Sequence, residues 1–95
     1  EPLTLIAELY FRQNKLAEAM AKCKESLALS RTYGGRIQAG VTLHLMGKIR
    51  LQEQRCADAL QHVQEAVDIF KETGSRHLAE AEETLKKIQE AIEHG

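Results

Sequence analysis

The chain reads as all-α: about five helices, formed by two copies of one 40-residue unit and a closing helix. Three observations predict that class. Lys15-Leu16-Ala17-Glu18-Ala19-Met20 returns forty residues later as Arg55-Cys56-Ala57-Asp58-Ala59-Leu60, and Leu3, Leu5, Glu25, Arg36 and Ala39 return as Leu43, Leu45, Glu65, Arg76 and Ala79. Apolar residues recur at steps of three and four, which is the helical period. Gly34 and Gly74 stand at matching sites after those stripes, as helix terminators do. A fixed period between 20 and 50 residues marks a solenoid, whose single unit is too small to bury its apolar face alone.

The first helix is expected over about Leu3–Gln13. Leu3, Leu5, Ile6, Leu9, Tyr10 and Phe11 spread apolar groups round most of its circumference, leaving mainly Thr4, Glu8 and Arg12 polar. Such a helix expects neighbours on more than one side. Leu5 and Leu9 are therefore expected to be covered by an upstream helix or by a second copy of the chain, a homodimer through the first helix.

The second and fourth helices are near-copies. Leu16, Ala19, Met20, Cys23, Ser26, Leu27 and Ser30 form one stripe; Cys56, Ala59, Leu60, Val63, Ala66, Val67 and Phe70 form its counterpart. Glu18 and Asp58 fall in first turns, Arg31 and Lys71 in last turns, the signs that suit the helix dipole. Gly34 and Gly74 follow as residues able to turn left-handed, and Ser75 can cap the next helix. Leu29 and Ile69 lie off the stripes and are each expected to pack on the first helix of the following repeat.

The third helix, about Ile37–Glu53, is apolar at Val41, Leu45, Met46 and Ile49. Gly47 inside it costs about 1 kcal/mol relative to Ala, which points to close helix packing; Ala7 holds the same site one repeat earlier. The last helix, about Arg76–Glu93, carries the narrow stripe Leu78, Ala81, Leu85, Ile88 and Ile92. Glu83, Lys86, Lys87 and Glu90 occupy the sites where a following helix would pack. That pattern predicts a terminal helix, with Glu83 and Lys87 pairing at i, i+4, and Gly95 at or near the end of the array. The start at Glu1, without Met, predicts the C-terminal piece of a longer protein.

Composition narrows the function classes. Net charge is −1 and the longest basic run is Lys86-Lys87, beside Glu82, Glu83 and Glu90, so this segment has no nucleic-acid footprint. No stretch approaches the roughly 20 apolar residues of a membrane span, and no signal-peptide pattern is present. Cys23 and Cys56 lack metal or redox spacing and read as small core hydrophobes in a reducing compartment, the cytoplasm.

Met46-Gly47, Ala59, Val63 and Ala66, with Ile6-Ala7, Ala19, Cys23 and Ser26 as the first copy, resemble the tetratricopeptide repeat. Its signature places a small residue in the first helix, then Ala, a bulky residue and Ala in the second. Leu43 stands where the signature has Trp, Arg50 where it has Tyr, and the closing Pro is absent. The resemblance implies one domain over 1–95 folded as a right-handed α–α superhelix, with repeats 1–35 and 36–74 and a capping helix over 75–95. It also implies a protein-interaction scaffold. The run Phe70-Lys71-Glu72-Thr73-Gly74-Ser75-Arg76 followed by Ala79-Glu80-Ala81 is similar to the long repeats of bacterial signalling ATPases and transcriptional regulators, and of kinesin light chains and spindle-orientation adaptors. That likeness implies a sensing or regulatory arm, in transcription regulation for example. Homo-oligomerisation is the third reading.

In that family the partner groove is lined by the first helices of the repeats. The corresponding positions are Thr4 and Glu8, then Val41, His44, Leu45 and Lys48, then Ala81, Thr84, Leu85 and Ile88. The Lys/Asn/Arg clamp for chaperone C-terminal carboxylates is missing. Glu8, Arg12, His44, Lys48 and Gln52 are the expected polar contacts to a protein or peptide partner. His44, His62, His77 and His94 show no two-ligand metal spacing and are expected on helix surfaces. No Ser, Cys or Thr has a base and orienting partner legible in the spacing, and Gly34-Gly35 lacks the Lys-Ser/Thr of a phosphate loop. No catalytic, cofactor or metal site is expected.

Overall fold

The structure, a computed structural model, describes residues 3–94; Glu1, Pro2 and Gly95, including the expected array end at Gly95, lie outside the described residues. Five helices follow one another: α1 Leu3–Arg12, α2 Leu16–Tyr33, α3 Arg36–Gln52, α4 Cys56–Thr73 and α5 Leu78–His94. Each packs against the next in an antiparallel zigzag, and α1 with α3 and α3 with α5 also touch. Among the described residues, the backbones of α2 and α4 stay apart. The chain therefore curves, with α1, α3 and α5 on the inner side and α2 and α4 splayed along the outer side.

The four helix ends inside the two copies close by one device used in pairs. Gly34 and Gly74 adopt φ of 77° and 65°, and the next residue's N–H reaches back: Gly35 to the Ser30 carbonyl at 2.9 Å, Ser75 to that of Phe70 at 3.0 Å. The shorter turns do the same with non-glycine residues. Asn14 and Gln54 sit at φ 62° and 64°, while Lys15 N–H bonds Tyr10 and Arg55 N–H bonds Arg50, each at 2.8 Å. Ser75 Oγ accepts the His77 N–H at 3.1 Å, so the expected cap forms, one turn before α5 begins at Leu78.

Helix α3 is the centre of the molecule, buried from Ala39 through Gly47 except at Val41, and again at Ile49. The stripe of α2 is buried at Ala19, Met20, Cys23, Ser26, Leu27 and Ser30, and that of α4 at Ala59, Val63, Ala66, Val67 and Phe70. Two glycines let α3 lie against α4. A Cβ at Gly47 would overlap Cγ2 of Val63, and one at Gly40 would sit 2.6 Å from Cε1 of Phe70. The close packing expected at Gly47 is thus present. Between α2 and α3 lies a buried polar pair. Thr42 Oγ1 donates to the Gln38 carbonyl at 2.9 Å, so Ser26 Oγ must be the donor in its 3.1 Å bond to Thr42 Oγ1. Cys23 is fully buried, which pushes its thiol up to about 12, and Cys56 is half-buried; both are free.

Four expectations need correction. Ile69 does not look towards α5: its Cγ2 faces Gly40 of α3, and it shares a depression with Leu27 and Ser30 of α2. Its counterpart Leu29 is half-exposed, because nothing occupies the equivalent space beside α2. The stripe of α5 runs out at its end, where Ile92 is largely exposed beside Leu51 and Cys56, since α4 has already diverged into the α3–α4 turn. Glu83 and Lys87 form no ion pair among the described residues; both stay solvated, as exposed pairs worth a few tenths of a kcal/mol readily do.

Candidate functional site

A groove of ≈ 240 Å³ opens on the inner side, floored by Val41, Leu45 and Phe70. Helix α1 contributes Thr4, Leu5 and Glu8; α3 contributes His44 and Lys48; the turn into α5 and its first residues contribute His77 and Glu80. The repeat explains the alignment. Thr4, His44 and Thr84 are forty residues apart, as are Glu8 and Lys48, so each polar site recurs on the next parallel helix.

Of the five expected contact residues, the structure brings Glu8, His44 and Lys48 to this groove and leaves Arg12 and Gln52 outside its lining. Those two are exposed at the C-terminal ends of α1 and α3, beyond where the groove closes. His44 also departs from the expected surface histidine. It is 6% exposed, and its Nε2 bonds Thr84 Oγ1 at 2.8 Å. Burial, reinforced by Lys48 and His77 and opposed by Glu80, pushes the ring down to about 4. At neutral pH it is a neutral strut joining α3 to α5. Ala81 and Ile88, expected along the groove, are fully buried and do not line it.

His77 and Glu80 were not anticipated as groove residues. His77 packs its ring against Phe70, centroids 5.4 Å apart and planes tilted by 40°. The forty-residue register places them opposite Ile37 and Gly40, where nothing polar signals a site.

The ion pairs Lys22–Glu25, Arg31–Glu65, Arg36–Glu72, Arg50–Glu53 and Arg55–Asp58 all lie outside the groove. Glu8, Lys48 and Glu80 have no ion-pair partner among the described residues. Among the described residues no three His, Cys, Asp or Glu side chains converge as a metal site requires, and no helix is long and apolar enough to cross a membrane. Leu5 and Leu9 of α1 stand exposed, and Leu5 is part of the groove lining.

No curated protein and no solved structure matches the chain at a significant level. A family model described as tetratricopeptide repeat matches residues 1–72, which span α1 to the last turn of α4. With two helical hairpins of matching pattern stacked into a curved array, the chain belongs to the tetratricopeptide repeat family.

Proposed function

We propose that this chain holds a protein partner in the groove between α1, α3 and the start of α5. Tetratricopeptide repeats mediate protein–protein interaction, and a concave, partly apolar groove supports reading that role onto this surface. The observation that carries the reading is the lining of the groove: Glu8, Lys48 and Glu80 stand on three helices around an apolar floor, and among the described residues none of the three is engaged in an ion pair. Charged groups held on rigid helices at a concave, partly apolar surface are suited to fixing the register of an extended segment. Val41, Leu45 and Leu5 supply the apolar lining, and Lys48 and Glu8 the polar one. Arg12 and Gln52 would touch only a partner long enough to run past the end of the groove.

Charge reversal tests this reading. Lys48→Glu and Glu8→Lys should each weaken capture of the partner at least tenfold, since removing a favourable charge pair and adding a repulsion together exceed about 1.4 kcal/mol. Gln64→Glu, on the exposed face of α4, should leave capture unchanged. Equal capture by all three variants would remove the groove from consideration.

A further inference from the structure

Between the two copies of the repeat, charged sites keep their sign at Lys15/Arg55, Glu18/Asp58, Glu25/Glu65, Arg31/Lys71 and Arg36/Arg76, and the sign reverses at Glu8/Lys48. The reversal falls in the groove, where Glu8 stands on α1, Lys48 on α3 and Glu80 on α5. Charge therefore alternates from helix to helix across the cleft, acid, base, acid. Nothing in the packing calls for it: Glu8 and Lys48 are half-buried and Glu80 is exposed, and among the described residues none of the three makes an ion pair. Other polar groups here are engaged within the fold. Gln38 Nε2 donates to Thr4 Oγ1 at 3.2 Å between α3 and α1, and His44 Nε2 meets Thr84 Oγ1 at 2.8 Å between α3 and α5. What the groove offers a ligand is three charges of alternating sign around the apolar floor of Val41, Leu45 and Phe70.

We propose that the groove selects an extended segment in which one Asp or Glu is flanked on both sides by Lys or Arg. The acid faces Lys48, the two bases face Glu8 and Glu80, and apolar side chains between them rest on the floor. The proposal rests on the groove reading above and names the partner's chemistry. Its spacing follows from the helices: α1 touches α3 and α3 touches α5, neighbouring axes lie about 8–10 Å apart, and an extended chain advances about 3.3 Å per residue, so successive contacts fall about three residues apart. A cleft of ≈ 240 Å³ takes side chains of an extended chain, whereas a helix is about 10–12 Å across. An acidic tail is disfavoured, because it would set like charge against Glu8 and Glu80 with only Lys48 in its favour.

A library of random short peptides displayed on phage, selected in parallel against the immobilised 95-residue chain and its Lys48→Glu variant, tests this charge order. Peptides from the parent chain should share one Asp or Glu with Lys or Arg about three residues to either side. Those from Lys48→Glu should carry Lys or Arg at the central place, and central-acid peptides should bind that variant about tenfold more weakly than the parent. Selection against Glu80→Lys, an exposed site that does not bear on folding, should turn one flanking base into an acid. Enriched peptides without that order, one consensus shared by parent and variants, or no enrichment at all would each overturn the proposal. The groove reading is judged separately. If disordered-charge peptides still bind Glu8→Lys and Lys48→Glu more weakly than Gln64→Glu, the groove holds and only the charge order falls; equal binding to all three removes the groove as well.

Discussion

Adding one methyl group at position 47 sets helix propensity against packing. Gly47→Ala should gain about 1 kcal/mol from propensity in the interior of α3. Against that, the new Cβ would overlap Cγ2 of Val63 and lie 3.3 Å from the Ala59 carbonyl oxygen and 3.4 Å from Val63 Cβ. Val63 is fully buried and β-branched, so its χ1 is held to essentially one helical rotamer and cannot swing away. The helix backbone of α4 must retreat instead, and overpacking of that kind costs about 1–3 kcal/mol. With the neighbour this stiff, the upper part of the range applies, and the net loss is about 1–2 kcal/mol. For a domain of this size each kcal/mol moves Tm by about 4–8 °C, so calorimetry should read a fall of roughly 4–16 °C. Val63→Ala in the same chain removes the clashing methyl, and the double variant should be less destabilised than the sum of the singles by about 1 kcal/mol or more. A Gly47→Ala protein melting at or above the parent temperature would refute the claim that α3 and α4 meet through that glycine.

Other perturbations read different parts of the structure. Thr42→Val leaves the buried Ser26 hydroxyl without its acceptor and should cost about 1–3 kcal/mol in urea unfolding, whereas Ser26→Ala/Thr42→Val together should cost clearly less than the sum of the singles. His44 has a folded pKa of about 4 against an ordinary 6.5, so the folded state resists its protonation. Its contribution is complete above the unfolded value and is lost as pH falls from about 6.5 to about 4, amounting to about 2 kcal/mol by pH 5. Unfolding at pH 7.5 and 5 should reveal that loss, and His44→Asn should shrink it; an unchanged pH difference would exclude His44 as its source. Gln54→Gly should stabilise by about 0.5–1 kcal/mol, since about 1–2 kcal/mol of left-handed strain outweighs glycine's extra unfolded-state entropy; a lower melting temperature would contradict the strained assignment.

The forty-residue register made the layered helices legible. The α2 and α4 stripes, the terminators Gly34 and Gly74 and the cap at Ser75 are local chemistry repeated in sequence, and local chemistry is what a single chain displays. What stayed hidden depends on the neighbour rather than on the residue. Leu29 and Ile69 occupy the same site, yet one is exposed and one buried, because only the second has a preceding hairpin beside it. His44 looked like a surface histidine until α5 closed over α3 and Thr84 took its Nε2. Thr42 reads as polar but is fully buried, its hydroxyl satisfied by the Gln38 carbonyl and Ser26. The left-handed turn at Asn14 falls on a residue type that tolerates that conformation, whereas its counterpart Gln54 carries no such local signal and matches it only by the forty-residue spacing. For the groove, the side chains on α1 and α3 were readable from parallel helices in register. His77 and Glu80 were not, since they enter through the turn that ends the repeat.

On the proposed reading, partners are held on the inner side of the curve, against α1, α3 and the start of α5. The measurement that meets it most directly is photo-crosslinking in the native cell, with benzoylphenylalanine placed singly at positions 8 and 48 in the groove and at 64 on the outer face of α4. Groove positions should give the same discrete adduct, lost when the other groove charge is reversed, and position 64 should give none. Adducts formed at 64 with none at 8 or 48 would contradict that reading and move partner binding to the outer helices.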